Sequence, residues 1–224
     1  MYLQPLIVAF KKNKNAKEAI GMKAYMLHQF KFAGIKSPTR DLLVKQFLKE
    51  NKLTNYTDLN KVIKDMWGCK EREFQYAAID VFAHHHLLWK RSSIKLIEYC
   101  IINKSWWDTV DGFGSDWIPT YFKLFPEQII PVTSKWNQSN NIWLQRSSIM
   151  FQKKEKANTN TVLLSAYILK HAASKEFFIQ KAIGWTLREY SKSNPDWVKQ
   201  FVENNKLAPL SKREALKIIN KQLF

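Results

Sequence analysis

The sequence predicts an all-α fold, a curved solenoid of antiparallel helix pairs. Four short stretches of similar sequence have their third residues at positions 75, 110, 145 and 180, so the pattern recurs every 35 residues. A period of this length is typical of helical-repeat proteins, in which each repeat is one small helical unit stacked on its neighbours. The four stretches are 73–78, 108–113, 143–148 and 178–183.

The spacing of apolar residues and the placement of glycine and proline favour the same fold class. Apolar residues in 162–169 and 177–187 recur with the period of a helix rather than that of a strand. Ser37 followed by Pro38 is typical of a helix start and predicts a helix that continues through Leu48. Glycine occurs only six times, and the seven prolines lie mostly between apolar segments. We expect polar connectors at 51–58, 131–141 and 153–161.

Composition indicates one globular domain with a polyanionic partner. A chain of 224 residues suits one core or one short solenoid, so we expect a single domain over residues 1–224. The hydrophobic share of 46% argues against a disordered chain. The net charge of +17 favours nucleic acid, ahead of an anionic membrane, as the partner. The alternative is a charge that serves solubility alone, since lysine greatly outnumbers arginine.

Cysteine and histidine usage predicts no metal site and no cofactor. Cys69 and Cys100 form no CxxC pair, which fits a reducing compartment and excludes a zinc framework of cysteines. The consecutive histidines 84–86 point in different directions on a helix, so they do not form a ligand set. The apolar start at 1–10 is too short to span a bilayer and lacks the order of a secretory signal. We expect a monomer in the bacterial cytoplasm that acts at the nucleoid, with no membrane association.

One register position of the repeats carries charges that a hydrophobic seam between helices would not need. The fourth residues of the four stretches are Tyr76, Asp111, Arg146 and Lys181. Equivalent positions of a repeat array face the same surface, so these four residues are predicted to lie along one face. Asp111 is the only acid among them.

Two tryptophans share helix faces with these charged residues. Trp107 precedes Asp111 by four residues, and Trp185 follows Lys181 by four, which places each pair on one side of a helix. The alternative for any single tryptophan is packing in the core. The nearby charges favour a cleft, because they would be costly to bury in a core. Two other tryptophans share no such face and are expected in the core: Trp67 and Trp143.

Motifs spread over nearly the whole chain carry a specific resemblance. They lie at 65–67, 71–75, 104–111, 141–146, 175–185, 187–190 and 207–215. Together they resemble the AlkD-like DNA alkylation repair glycosylases, a family built from HEAT-like helical repeats. The resemblance implies removal of positively charged N3- and N7-alkylpurines, such as 3-methyladenine and 7-methylguanine, from duplex DNA in base excision repair. It also implies a monofunctional glycosylase that does not extrude the base into a pocket.

The resemblance also assigns roles to individual residues. By motif, Asp111 looks like the catalytic carboxylate, and Trp107 and Trp185 look like the aromatic pair at the lesion. Arg146 looks like a cation that binds the DNA backbone beside them. Further DNA-contacting positions implied by the motifs are Tyr25 and Arg188.

One position departs from the family pattern. In the segment 34–38 a family member has a glutamine that probes the duplex, whereas this chain has Lys36. A lysine at this position could still reach phosphates, so we include Lys36 among the candidate DNA-binding residues.

The residue types suit this chemistry without reference to a family. An N-alkylated purine leaves as a neutral base, so the enzyme needs no acid to protonate it. A carboxylate at Asp111 would stabilise an oxocarbenium-like deoxyribose and orient or deprotonate the attacking water. Indole faces favour a cation within about 6 Å. Three cations are expected to bind phosphates beside the lesion: Arg146, Lys181 and Arg188.

The alternative function is a scaffold of the same family that binds DNA or protein without catalysis. Asp111 argues against this alternative, because a carboxylate in a pure DNA-binding groove would repel the phosphates.

Overall fold

Regular secondary structure is helical throughout the part of the chain that the structure describes. A computed structural model describes residues 2–221. This range contains fourteen α-helices and four short 3-10 helices, and one isolated backbone bridge pairs Lys31 with Glu71. None of these helices combines the length and the apolarity needed to cross a bilayer. The prediction of an all-α fold is confirmed.

The chain divides into two compact units, the first ending at Leu96 and the second beginning at Ile97. Helix α6 (Ser93–Ile102) contains this boundary. The expectation of one domain over residues 1–224 stays a prediction. The first unit contains α1 (Gln4–Lys12), α2 (Ala16–Tyr25), α3 (Ser37–Glu50), α4 (Tyr56–Gly68), α5 (Glu73–His84) and a 3-10 helix at His86–Leu88.

The second unit contains most of the predicted site. Helix α10 packs against α7, α9 and α12, and α12 packs against α14. The α-helices of this unit are α7 (Trp107–Ser115), α8 (Trp117–Leu124), α9 (Ile129–Gln138), α10 (Ile142–Met150), α11 (Thr161–Lys170), α12 (Phe177–Tyr190), α13 (Pro195–Asn204) and α14 (Pro209–Ala215). Its 3-10 helices lie at Pro126–Gln128, Lys156–Asn158 and Ile219–Lys221.

Each unit buries apolar side chains at helical spacing. In the first unit, α4 packs against α5 through a face that includes Leu59, Ile63 and Met66. In the second unit, α10, α11 and α12 contribute to one cluster that includes Ile149, Ile168 and Ile183. The two tryptophans predicted to lie in the core do so: Trp67 is 1% exposed and Trp143 is 8% exposed.

Glutamines at the third position of the repeated pattern tie a helix to the loop that precedes it. In three repeats the side-chain amide donates to the backbone carbonyl six residues earlier. The same glutamine contact between loop and helix therefore recurs in three repeats, which explains part of the 35-residue pattern. The bonds join Gln75 to Cys69 at 3.1 Å, Gln145 to Ser139 at 2.6 Å and Gln180 to Ser174 at 2.9 Å.

The predicted connector at 131–141 is wrong, because α9 occupies most of it. Pro131 suggested a break, but it lies in the first turn of α9. Backbone N–H groups in a first turn have no intrahelical acceptor, so proline is tolerated there. The helix predicted to open at Ser37 is confirmed by α3.

Glu73 is a buried carboxylate that fixes the loop before α3. It is 1% exposed, and its oxygens accept hydrogen bonds from the backbone N–H groups of Ala33, Gly34 and Ile35 at 3.0, 2.8 and 3.1 Å. Gly34 has a φ of +84°, and a Cβ there would collide with the carbonyl oxygen of Asn15. One carboxylate and one glycine therefore determine the path of this loop.

We predict that Glu73→Ala lowers the free energy of unfolding by about 3 to 5 kcal/mol, because it leaves three buried N–H donors without an acceptor. Urea unfolding measures the effect. Glu71→Ala is the matched control, since Glu71 makes a partly exposed ion pair with Lys14 at 3.2 Å, and such pairs contribute about 1 kcal/mol or less. Equal losses in the two variants would contradict the role of Glu73.

Candidate functional site

A cleft of about 240 Å³ in the second unit collects five of the eight predicted site residues. Helix α7 contributes Trp107 and Asp111, and α10 contributes Arg146. The remaining lining residues come from α12: Phe177, Phe178, Lys181 and Trp185. Within this unit, the fourth residues of three successive repeats therefore line one cleft, as the repeat spacing predicts: Asp111, Arg146 and Lys181.

Arg146 holds the Asp111 carboxylate in place within the cleft. Its Nε donates to Oδ1 of Asp111 at 2.8 Å, and its Nη2 donates to Oδ2 at 3.0 Å. Its Nη1 donates to the carbonyl oxygen of Phe178 at 2.6 Å. The Arg146 side chain is 3% exposed and that of Asp111 is 15% exposed. The guanidinium therefore fixes the orientation of the carboxylate and joins α7, α10 and α12.

These contacts lie within the protein, and the role expected for Arg146 at DNA phosphates stays a prediction. The sequence analysis expected a cation that reaches DNA phosphates, but the structure directs the guanidinium towards Asp111 and Phe178. The physical reason is burial, since a guanidinium so poorly exposed needs partners within the protein. The contacts of Arg146 are those of a residue that positions Asp111.

The two predicted cleft tryptophans are half-buried and differ from the core tryptophans. Trp107 begins α7, and Trp185 packs against the apolar cluster of the second unit while lining the cleft. Phe178, which also lines the cleft, packs against Trp143 and Trp106, with ring centroids 4.9 and 5.2 Å apart. The cleft therefore has an aromatic wall supported by a second row of rings.

Lys153 places its ammonium on the Trp185 indole, at 3.7 Å from Nζ to the ring centroid. It lies in the turn after α10, where its backbone N–H donates to the carbonyl of Met150. Burial lowers the pKa of the Lys153 ammonium, because removal from water disfavours the charged form. Neighbouring charges add smaller effects: Asp111 and Glu189 raise this pKa, whereas Arg146 and Lys154 lower it.

Glu214 organises the two other predicted cations on α12. It accepts from Lys181 Nζ at 3.0 Å and from Arg188 Nη1 at 2.7 Å. Burial acts to raise the pKa of Glu214, but the hydrogen bond from Lys181 and the charges of Lys181 and Arg188 together hold it below its usual value. Lys181 and Arg188 remain 33% and 21% exposed, so each keeps donors that an outside anion could use.

Gly184 allows Glu214 to reach these cations. A Cβ at Gly184 would meet the Cβ of Glu214 and lie 2.8 Å from the carbonyl oxygen of Ser211. Only glycine permits this approach of α14 to α12, and the approach brings Glu214 between Lys181 and Arg188.

The remaining two predicted residues belong to the first unit. Tyr25 is 72% exposed at the end of α2. Lys36, just before α3, is 61% exposed in its side chain and pairs with Glu18 at 2.9 Å. Both are accessible to a partner on the surface of their own unit.

Comparison with known proteins identifies the family. The family model described as DNA alkylation repair enzyme matches residues 6–219. The chain belongs to this family. A solved structure described as a predicted DNA alkylation repair enzyme from Enterococcus faecalis is 36% identical, with a TM-score of 0.87, and the match covers 93% of this chain and 97% of that one. No curated protein matches the chain significantly.

Three residues at the site of this DNA alkylation repair family member were missed by sequence reasoning. Phe178 precedes Lys181 by three residues and Trp185 by seven, so its helical spacing was an available signal. Lys153 follows Arg146 by seven residues, the spacing of one helix face, but it lies beyond the end of α10. Glu214 gave no signal, because its position depends on how α14 packs.

Within residues 2–221, no group of three or more potential ligands could hold a metal ion.

We predict that Arg146→Ala lowers the free energy of unfolding by about 3 to 5 kcal/mol, because it leaves the Asp111 carboxylate without its partner in a largely buried site. Urea unfolding measures this loss. The control is the double variant Asp111→Leu with Arg146→Met, in which no charge is left unpaired and much of the stability should return. A loss below about 1 kcal/mol for Arg146→Ala would indicate an exposed ion pair instead.

Proposed function

We propose that this DNA alkylation repair family member is a monofunctional glycosylase that releases cationic N3- and N7-alkylpurines from duplex DNA in base excision repair. The preferred substrates would include 3-methyladenine and 7-methylguanine. The observation that carries the proposal is a single carboxylate, Asp111, oriented by Arg146 in a cleft walled by half-buried indoles. The proposed chemistry requires no metal and no cofactor.

The reaction moves positive charge from the base to the sugar. The C1′–N9 bond breaks, and its electron pair neutralises the alkylated purine, which leaves without a proton from the enzyme. The deoxyribose becomes oxocarbenium-like at C1′ and O4′. A water molecule then adds to C1′ and loses a proton. The enzyme therefore has to stabilise positive charge on the sugar, which one oriented carboxylate can do.

The Asp111 carboxylate can still interact with the sugar, although it is paired with Arg146. Each carboxylate oxygen offers about two lone-pair sites, and the bonds from Arg146 use one on each oxygen. The side chain is 15% exposed, so its free lone pairs can meet the cleft. Arg146 keeps the carboxylate from rotating, and such preorganisation avoids a reorganisation cost in the transition state.

Trp107 and Trp185 would hold the cationic base before it leaves. Electron-rich ring faces attract a cation by about 0.5 to 2 kcal/mol and lose this attraction once the base is neutral. The base would be released without extrusion into a pocket, as the resemblance to the family implies.

Contacts to the duplex would come from cations outside the Asp111 pair. Lys181 and Arg188 keep exposed donors beside the cleft, and Lys36 and Tyr25 are exposed on the first unit. The net charge of +17 supports a phosphate partner. We propose that these residues position the duplex, whereas Arg146 positions the carboxylate. The protein would act as a monomer at the nucleoid in the cytoplasm.

The alternative is a scaffold of this family that binds DNA or protein without catalysis. A scaffold that only binds would not need a buried guanidinium that orients a carboxylate towards the cleft, because a carboxylate weakens phosphate binding. The Asp111–Arg146 arrangement therefore favours catalysis.

We predict that Asp111→Asn slows release of 7-methylguanine from duplex DNA roughly a hundredfold or more, the usual scale for one lost transition-state stabiliser. Duplex affinity should stay close to wild type. Single-turnover excision measures the rate, and Asp108→Asn, on the same helix with the same change of charge, is the control. An unchanged rate in Asp111→Asn would refute the catalytic assignment.

We also predict that Trp107→Ala and Trp185→Ala weaken binding of a duplex with a cationic base, relative to the unmodified duplex, by roughly two- to thirtyfold, the value of a cation–π contact. Both should cost less stability than core substitutions, for which Trp→Ala removes about 3 to 5 kcal/mol. The controls are Trp67→Ala and Trp117→Ala, which alter tryptophans that are 1% and 0% exposed. Melting temperature and the ratio of the two affinities are measured together, with a 2′-fluorine on the sugar of the cationic nucleotide to prevent cleavage. The aromatic-cleft model fails if the four variants melt alike and show the same affinity ratio.

A further inference from the structure

A carboxylate lies between the two cations of α12 that would bind phosphate. Oε1 of Glu214 accepts from Lys181 Nζ at 3.0 Å, and Oε2 accepts from Arg188 Nη1 at 2.7 Å. The Glu214 side chain is only 12% exposed. A surface that served DNA affinity alone would lack this acid, because a carboxylate repels phosphates. DNA affinity therefore does not explain the presence of Glu214.

The packing of α14 on α12 has contacts of its own that do not involve this carboxylate. Ser211 Oγ donates to the carbonyl oxygen of Gln180 at 2.9 Å, and Ala215 is fully buried in the apolar cluster of the second unit. Partly exposed ion pairs such as those of Glu214 add little stability. At Gly184, a Cβ would lie 2.5 Å from the Cβ of Glu214. The helices thus leave room for Glu214, but they have other contacts to hold them together.

Glu214 offsets part of the positive charge of this surface. Burial acts to raise its pKa, but Lys181 and Arg188 hold the pKa below its usual value, so the group is ionised at neutral pH. Two cations and one carboxylate leave a single net positive charge. The donors of Lys181 and Arg188 also converge on the two oxygens of one carboxylate, an arrangement that resembles two non-bridging oxygens of one phosphate.

We propose that Glu214 competes with DNA phosphates for Lys181 and Arg188, and so limits the affinity for duplex DNA and speeds its dissociation. This inference rests on the proposed function, which assigns these two cations to the duplex. A phosphate that binds them weakens their pairs with Glu214, so the net gain from the contact is small. Since phosphate contacts carry no information about the lesion, the limit applies to undamaged DNA and to the product alike.

The test begins with Glu214→Gln, which removes the charge and keeps the size of the side chain. Affinity for an unmodified duplex should rise roughly tenfold at 0.1 M salt, because one added phosphate contact steepens the log–log dependence of affinity on salt by about 0.9. The dissociation rate should fall with it. The control is Glu203→Gln, which changes the net charge equally at an exposed position of α13 and should leave the salt slope unchanged.

A double-mutant cycle with Lys181→Gln measures the competition directly. In the wild-type background, Lys181→Gln should weaken duplex binding only slightly, because Glu214 already offsets much of this charge. In the Glu214→Gln background, the same change should remove most of the tenfold gain. A carboxylate that only joined α14 to α12 would give equal losses in both backgrounds. Urea unfolding confirms that each variant is folded, and Glu214→Met repeats the binding measurement in case Glu214→Gln is not.

Each outcome decides the inference. Tighter binding with a steeper salt slope in Glu214→Gln, and not in Glu203→Gln, supports it. Unchanged or weaker binding in Glu214→Gln overturns it and makes Glu214 a residue that orients the two cations towards DNA. Binding to an unmodified duplex requires no base release, so a wild type that binds DNA but releases no 7-methylguanine would refute the proposed function and leave this inference to the binding data. A wild type without affinity for any duplex would refute both.

Discussion

The buried guanidinium of Arg146 is the constraint on which the site and its helices depend. Removed from water, it needs partners within the protein, and it finds them on α7 and α12. An uncompensated charge in such a place would cost several kcal/mol. The same contacts therefore set the register of the three helices and the orientation of Asp111. A shift of one helix against the others would lower stability and would also displace the carboxylate.

The 35-residue pattern combines a structural position with one that lines the candidate site. At its third position, Gln75, Gln145 and Gln180 close the loop before each helix. At its fourth, Asp111, Arg146 and Lys181 line one cleft. The period and the shared face were predictable from sequence, because a helical-repeat array returns equivalent positions to one surface. The role of the glutamines was not, since it depends on the path of a loop that no periodicity describes.

Other parts of the site lay beyond sequence reasoning for definite physical reasons. A cation one repeat away from an acid can either pair with that acid or face the solvent. The outcome depends on the distance between the two helices, and here Arg146 pairs with Asp111. Glu214 reaches Lys181 only because Gly184 lets α14 approach. Lys153 lies in a turn that looked like a solvated connector, and its contact with Trp185 arises from how that turn folds back on α12.

These contacts divide the cations near the cleft by task. Arg146 directs three of its N–H donors to Asp111 and Phe178 and is only 3% exposed, so it orients the carboxylate and has little surface for a phosphate. Lys181, one repeat later, shares Glu214 with Arg188 and stays accessible, which suits a phosphate contact. In the proposed glycosylase the two tasks would use different residues, so the strength of duplex binding and the electric field at the sugar could vary independently. Such a separation suits the proposed function, since phosphate contacts carry no information about the lesion.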